Sequence, residues 1–405
     1  MIESPFARLG PQFLANTYPF YENLRSADPV LWMPDLFGIG GWIVTGHAAC
    51  SAALRSKHFG KEGHKVVAAE KLALIPQESA EVAVRRKHNM LFRDPPDHTR
   101  LRGLVTQAFT PRTIERLRPH IAEIAEHLLD AIQARGEADL IRDYAFPLPI
   151  IVIAELLGVS PADRDQFKVW STDLTAGINL GATIEDLTRT GRAIDALSAY
   201  LAEVIEDRRR APRADLISDL VRVQEAGDRL SMDELLATCR LLLTAGHETT
   251  VNLIGNGTLA LLRHPAEHSK LAAEPARMEH AVEELLRYDS PVQITVRFAM
   301  EEAPLGAHVA KRGDVVILLL GAANRDPVQF ADPARLDLER ENAHSHLSFG
   351  GGIHYCLGGP LARLEGELAI GALLRRMPQL ALAPGEIEQR PHMVLRGPKA
   401  LPVTF

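Results

Sequence analysis

A glycine-dense loop that carries one cysteine is the feature that most limits what this chain of 405 residues can form. The loop runs from Phe349 to Pro360, contains Cys356, and is followed at once by the helical pattern of Leu361 to Met377. Glycines let a backbone approach a flat ligand closely and adopt positive φ angles. The loop N–H groups and the N-terminus of the next helix would stabilise a negative sulfur. A thiolate at this position could therefore ligate iron.

Two other interpretations fit the loop when it is taken alone. A buried structural cysteine beside a glycine-rich turn is the commoner situation for a free cysteine. A phosphate-binding loop is the second alternative, but no Gly-Lys-Ser/Thr sequence follows the glycines. Other segments must decide between these possibilities.

The composition is that of a globular protein with a large core, since 46% of the residues are hydrophobic and 24% are charged. A net charge of −7 argues against a nucleic-acid partner. The three cysteines, Cys50, Cys239 and Cys356, lack metal-site or dithiol spacing and suit a reducing cytoplasm. We see no secretory signal and no apolar run of about 18 residues. We therefore expect a cytoplasmic protein without a membrane span.

Hydrophobic periodicity predicts a mainly α chain with small β-sheets. Ser231 to Arg263 reads as one very long helix, opened by a capping box of Ser231 and Glu234. Pro111 to Arg135 reads as a long amphipathic helix capped by Thr110. The patterns of Leu31 to Val44 and Pro291 to Leu320 indicate strands. Without repeats or linkers, we expect one domain over residues 1–405, with a flexible N-terminus over about 1–15.

The cysteine loop follows the pattern Phe-x-x-Gly-x-basic-x-Cys-x-Gly, with His354 in the basic position. This pattern resembles the haem-binding signature of cytochromes P450, in which a cysteine thiolate ligates the haem iron. The resemblance extends from about Pro19 to the end of the chain. It implies the cytochrome P450 fold around haem b, with Cys356 as the metal ligand and Phe349 and Gly350 beside the cofactor.

A second segment, Ala245 to Thr250, lies in the middle of the long predicted helix. Its plain interpretation is a polar interruption of a buried helix, since Gly246 weakens the helix and a threonine hydroxyl can bond to the preceding turn. In a cytochrome P450 it resembles the oxygen-activating stretch. That resemblance places Ala245 against the haem, Thr249 at the bound dioxygen and Glu248 in a proton relay from solvent.

Two further sets of charged residues match the family. Glu284 and Arg287 have i,i+3 spacing, which alone indicates only a surface ion pair worth about 0.3–0.5 kcal/mol. By resemblance they form a structural cluster with Arg335. His98 and Arg102 share one helix face and could be merely solvated, whereas Arg297 stands in an apolar strand and needs an anionic partner. The resemblance implies that four residues bind the haem propionates: His98, Arg102, Arg297 and His354.

The resemblance also places an apolar substrate above the haem, under a lid over residues 167–194 that contains Gly177 and Gly181. Ordinary core is the alternative for each residue of the predicted pocket. That pocket consists of Val82, Leu91, Leu241, Leu242, Ala245, Val292, Gln293, Ile294 and Val394. Fatty acids, polyketides or macrolides, and terpenoids all remain possible as substrates.

The implied activity is mono-oxygenation, in which dioxygen and two external electrons serve to hydroxylate or epoxidise the substrate. The sequence has no flavin or iron–sulfur segment, so we expect a ferredoxin with its reductase as electron donors to a monomeric enzyme. Arg112, Arg116 and Arg363 are the predicted ferredoxin contacts. A peroxide-driven peroxygenase and a non-catalytic haem sensor or carrier are the alternatives, and the Glu248–Thr249 pair argues against both.

Overall fold

Helices form most of the fold, and the strands are few and short. The computed structural model describes residues 11–75, 84, 86–226 and 230–405. In that part of the chain the helices are α1 Pro11–Ala15, α2 Tyr18–Ala27, α3 His47–Arg55, α4 Ala69–Leu72, α5 Asp97–Val105, α6 Pro111–Glu115, α7 Arg118–Gln133, α8 Pro147–Leu157, α9 Arg164–Ala176, α10 Ile184–Arg210, α11 Leu216–Glu225, α12 Met232–Arg263, α13 Pro265–Ala273, α14 Met278–Tyr288, α15 Leu320–Ala323 and α16 Gly359–Arg376.

The strands form three small sheets. They are β1 Val30–Met33, β2 Gly41–Val44, β3 Phe59–Gly60, β4 Glu137–Asp139, β5 Ile294–Ala299, β6 Ala303–Leu305, β7 His308–Ala310, β8 Val315–Leu319, β9 Ala381–Leu382 and β10 Pro402–Thr404. The largest sheet has the order β1-β2-β8-β5-β3, with β2 and β8 parallel and the other pairs antiparallel. Strand β5 therefore lies inside this sheet, which explains why its side chains are mostly shielded from solvent.

The predicted long helix is present as α12, over 32 residues. Its capping box is formed: the Ser231 hydroxyl accepts from the Glu234 N–H at 3.2 Å, and the Glu234 carboxylate accepts from the Ser231 N–H at 2.9 Å. At 1.5 Å per residue, α12 is about 48 Å long. It packs against α8, α10, α14 and α16, so its middle turns lie in the centre of the fold.

Two expectations about secondary structure need correction. The continuous helix predicted over Pro111 to Arg135 is wrong, because it is divided into α6 and α7. Pro119 lies in the first turn of α7, and its ring and missing N–H exclude it from a helix interior. Thr110 does cap α6, since its hydroxyl accepts from the Thr113 N–H at 3.3 Å. Within the interval 1–15 that we expected to be flexible, Pro11–Ala15 is helical and residues 1–10 lie outside the described part.

None of the helices in the described residues has the length and apolarity needed to cross a membrane.

Candidate haem-binding and oxygen-activation site

The loop before α16 is shaped by its glycines. Gly350 and Gly352 adopt φ angles of 70° and 65°, which disfavour other residues, and a Cβ at Gly352 would overlap the Leu54 carbonyl. The Cys356 N–H donates to the Phe349 carbonyl at 2.9 Å, which closes the loop. Burial raises the pKa of the Cys356 thiol, while the backbone N–H groups of Gly358 and Gly359 act in the opposite direction. Those N–H groups would stabilise a thiolate that coordinates a metal.

Arg297 is the clearest indication that this part of the site suits an anionic group. It is 3% exposed on β5, and its Nη1 atom donates only to uncharged oxygens, Thr295 Oγ1 and the Val296 carbonyl, both at 3.0 Å. Burial lowers its pKa to about 10. No carboxylate of the described residues lies within ion-pair distance of it. A buried guanidinium without a carboxylate fits an acidic group of a ligand.

The other predicted propionate ligands converge on the same place. The rings of His98 and His354 are 4.2 Å apart, and His98 Nδ1 and His354 Nε2 are buried without a hydrogen-bond partner among the described residues. Arg102 Nη2 donates to the Tyr355 carbonyl at 2.7 Å, next to Cys356. Burial, together with the charges of Lys61, Arg297 and Arg102, lowers the pKa of His354 to about 2. This concentration of donors and cations suits the two propionates of haem b.

Lys61 belongs to this cluster and was missed by the sequence analysis. Its Nζ atom donates to Thr295 Oγ1 at 3.1 Å, the same hydroxyl that accepts from Arg297. Lys61 lies in an irregular charged stretch, where nothing in the local pattern distinguishes it from a solvated lysine.

The middle of α12 has the features expected of an oxygen-activating segment. Ala245 is exposed although it lies in the centre of a largely buried helix, which fits a flat cofactor against this turn. Gly246 packs closely on Ile153 of α8. The Thr249 hydroxyl donates to the Ala245 carbonyl at 3.2 Å, and Glu248 is 6% exposed. Glu248 accepts a hydrogen bond from Arg390, a partner that the sequence did not indicate.

The ion pair of Glu284 and Arg287 is internal, since both side chains are fully buried. Arg287 donates to the two carboxylate oxygens at 2.6 and 2.8 Å. The third member of the cluster is Arg340, whose Nε lies 3.2 Å from the carboxylate, so the assignment to Arg335 is wrong. The Arg335 side chain is exposed, and only its carbonyl takes part, accepting from Arg287 and Arg340 at 3.2 Å.

The residues of the predicted pocket differ in burial. Five retain exposed or partly exposed side chains: Leu91, Leu241, Ala245, Val292 and Val394. Leu242 and Ile294 are buried in two separate core clusters. Val82 lies outside the described residues. Gln293 is 1% exposed, and its amide nitrogen donates to the Ser290 carbonyl at 2.7 Å.

Glu365 of α16 is a buried carboxyl group that the sequence analysis also missed. It lies beside Thr250 of α12, and burial raises its pKa to about 8, although the Thr250 hydroxyl acts in the opposite direction. Folded protein therefore retains a proton that unfolded protein loses above about pH 4.3. The free energy of unfolding should therefore fall as the pH rises from about 4.5 to about 8, because only the unfolded protein releases this proton in that window.

Glu365→Gln should remove that dependence. The variant should gain stability relative to the unmodified chain as the pH rises through this window, by up to about 1.4 kcal/mol per pH unit. Urea unfolding at several pH values would measure the difference. Parallel stability curves for the two proteins would show that Glu365 is not held neutral.

Comparisons with known proteins agree with this geometry. The family model for cytochrome P450 matches residues 176–405. Polyketide biosynthesis cytochrome P450 PksS of Bacillus subtilis is 43% identical over 98% of this chain and 97% of its own length. Cytochrome P450 monooxygenase PikC of Streptomyces venezuelae is also 43% identical, over 98% and 93% of the two chains. The structure of P450BioI with a hexadec-9Z-enoic acid ligated acyl carrier protein superposes with a TM-score of 0.89 at 42% identity, over 97% and 99%. The chain therefore belongs to the cytochrome P450 family and is a mono-oxygenase that binds haem b.

Proposed function

We propose that this enzyme hydroxylates or epoxidises a fatty-acyl or polyketide chain, with electrons supplied by a ferredoxin and its reductase. The observation that carries the proposal is the Glu248–Thr249 pair, one turn after the exposed Ala245 on α12, in a fold whose cysteine loop and cationic cluster suit haem b. The relatives support the substrate class, since one is named for polyketide biosynthesis and another was solved with a fatty acid on a carrier protein. A terpenoid is the less supported alternative.

Each residue of the site has a separate task in this proposal. Cys356 ligates the iron, Phe349 and Gly350 shape its loop, and Ala245 contacts the haem. The propionates are held by His98, Arg102, Arg297 and His354. When bound, haem supplies the redox chemistry by which dioxygen is activated. The Thr249 hydroxyl orients a proton donor near the dioxygen, and Glu248 passes protons to it from solvent.

Thr249→Ala tests the proton-delivery role. The variant should still consume oxygen but should release more hydrogen peroxide and less product, because protons no longer reach the dioxygen in the correct position. We expect the product formed per oxygen consumed to fall about 10-fold or more. General acid–base catalysis contributes roughly 100-fold or more to a rate, so a loss of this size is a modest expectation. Thr106→Ala is a matched control, since Thr106, directly after α5, also donates to the carbonyl four residues earlier, that of Arg102. Unchanged product coupling in Thr249→Ala would refute the assignment.

The face formed by α6 and the cysteine loop is the proposed ferredoxin-docking surface. Helix α6 packs against α16, which starts just after Cys356, and Arg112 and Arg116 are exposed. Arg363 does not fit as a docking contact, because it donates to Glu283 at 2.6 and 3.0 Å and stacks over the Phe349 ring at 4.3 Å. Its side chain instead holds the cysteine loop in place through the contact with Phe349.

Reversing the charge at both exposed arginines, Arg112→Glu with Arg116→Glu, should slow electron transfer from an acidic ferredoxin at low salt. A fall of about 10-fold is expected, and it should shrink as salt screens the charges. Stopped-flow reduction at several ionic strengths would measure it. Rates and a salt dependence equal to those of the unmodified enzyme would show that the partner binds elsewhere.

The substrate class is tested by titrating the holoenzyme with fatty acids, polyketides and terpenoids and recording the spin-state shift of the Soret band. Binding compounds are then incubated with a surrogate ferredoxin system, and the products are identified. We expect fatty-acyl or polyketide products; turnover of terpenoids alone would overturn this substrate class. The proposal also includes a monomeric enzyme in the cytoplasm, and the three free cysteines support the reducing compartment.

A further inference from the structure

We infer that the C-terminal stretch 390–393 couples the turn between α9 and α10 to the carboxylate of Glu248, so that the lid position controls when Glu248 is free to carry protons. The inference rests on the proposed role of Glu248. It assigns positioning roles to Arg390, His392 and Asn179, none of which touches the reacting atoms.

The first link is the ion pair of Arg390 and Glu248. Arg390 Nη1 donates to Glu248 Oε1, and the acid is 6% exposed. The other carboxylate oxygen lies 3.8 Å from His247 Nε2. The Arg390 backbone is fixed independently of its side chain, because its N–H donates to the Gly397 carbonyl at 3.0 Å. A carboxylate held in this way must leave the guanidinium before it can rotate and pass on a proton.

The second link joins the same stretch to the lid. His392 Nε2 donates to the Thr175 carbonyl at 2.8 Å, in the last turn of α9. Its Nδ1 atom accepts from the N–H groups of Val394 and Leu395 at 3.1 and 2.9 Å, which fixes the neutral tautomer. The Met393 N–H donates to Asn179 Oδ1 at 3.1 Å, within the turn itself. The end of α9 and the turn are therefore held to the stretch that carries Arg390 by three hydrogen bonds, the third from Asn179 Nδ2 to the Pro391 carbonyl at 3.4 Å.

The chain after residue 393 is anchored, so a movement of the turn between α9 and α10 should displace residues 390–393. The Gln293 N–H donates to the Val394 carbonyl, and the Arg396 N–H donates to the Pro291 carbonyl, both at 2.8 Å. The following residues are thus fixed to the start of β5. If the turn 177–183 lifts, the bonds at His392 and Asn179 are lost and the Arg390–Glu248 pair loses its support. Linkage requires the reverse effect as well, so that loss of the ion pair loosens the turn.

Hydrogen–deuterium exchange of the holoenzyme tests the link without turnover. In Arg390→Gln, amides of residues 175–183 should exchange about fivefold faster or more, the lower end of typical coupling, and Arg390→Lys should restore most of the protection. Lys399→Gln is the control, since Lys399 forms an exposed pair with Glu388 on the same segment. Exchange at 175–183 that is equal in Arg390→Gln and the unmodified enzyme would overturn the inference.

A double-variant measurement separates this inference from the proposed function. Asn179→Ala and Arg390→Gln should each lower product formed per oxygen consumed, and the double variant should be no worse than the more impaired single variant, because both break one connection. Effects that multiply would mean independent roles and would overturn the inference. Unchanged coupling in Glu248→Gln would instead overturn the proposed proton relay, even if the exchange data showed the turn and Arg390 to be linked.

Discussion

Replacing Cys356 with serine should abolish mono-oxygenation while leaving a folded protein. In the proposed role, the Cys356 thiolate would hold the haem iron and supply electron density to it, which favours cleavage of the O–O bond and which a serine hydroxyl cannot supply. The backbone around the sulfur is fixed by the bond from the Cys356 N–H to Phe349 and by the glycines on either side, so the loop should survive the change. Loss of a residue that only hydrogen-bonds to a metal ligand can lower activity by roughly 100-fold. Loss of the ligand itself should lower product formation by more than that.

Cys50→Ala is the matched control for this experiment. Cys50 is also buried, but it lies on α3 beside the main sheet, where its Sγ atom donates to the Val44 carbonyl at 3.4 Å. That variant should retain both the haem spectrum and turnover. Product formation by Cys356→Ser at the rate of the unmodified enzyme would exclude a catalytic thiolate at this position.

Glu284→Gln should destabilise the fold by about 3–5 kcal/mol, the cost of breaking a buried ion pair. The carboxylate lies between two buried guanidinium groups, those of Arg287 and Arg340, and also accepts from the Asp337 N–H at 3.0 Å. The neutral amide leaves both cations without a counter-charge in a site closed to water. Urea unfolding would measure the change, and haem retention should fall with it.

A control with the same spacing is present on the surface. Glu274 and Arg277 also form an i,i+3 pair at 2.6 Å, but their side chains are 60% and 44% exposed. Glu274→Gln should therefore cost only about 0.2–1 kcal/mol. Similar losses from Glu274→Gln and Glu284→Gln would contradict the account, which attributes the larger loss to the burial of Glu284 and to its added bonds with Arg340 and the Asp337 N–H.

Local signals in the sequence predicted the main elements well. The capping box of Ser231 and Glu234 marked the start of α12, and the turn residues between Leu31 and Val44 indicated the β1–β2 hairpin. These features depend on neighbours within a few residues, so a linear pattern contains most of what determines them. The division between α6 and α7 also has a local cause, since Pro119 fits the first turn of α7 but not a helix interior.

Contacts between distant segments explain what the sequence could not show. Arg335 and Arg340 lie in one loop, and only the folded path of that loop decides which guanidinium reaches Glu284. Lys61 joins the cationic cluster because β3 and β5 are neighbours in the sheet. Arg390 meets Glu248 across 142 positions of sequence. Such partners have no periodic or spacing signal.

Carbon monoxide binding to the reduced holoenzyme is the most direct test of the central claim, that the thiolate of Cys356 holds the haem iron. The account predicts the strongly red-shifted Soret band of a thiolate-ligated haem in fresh, folded protein, and its loss in Cys356→Ser. A Soret band of the histidine-ligated type in the unmodified enzyme would contradict it.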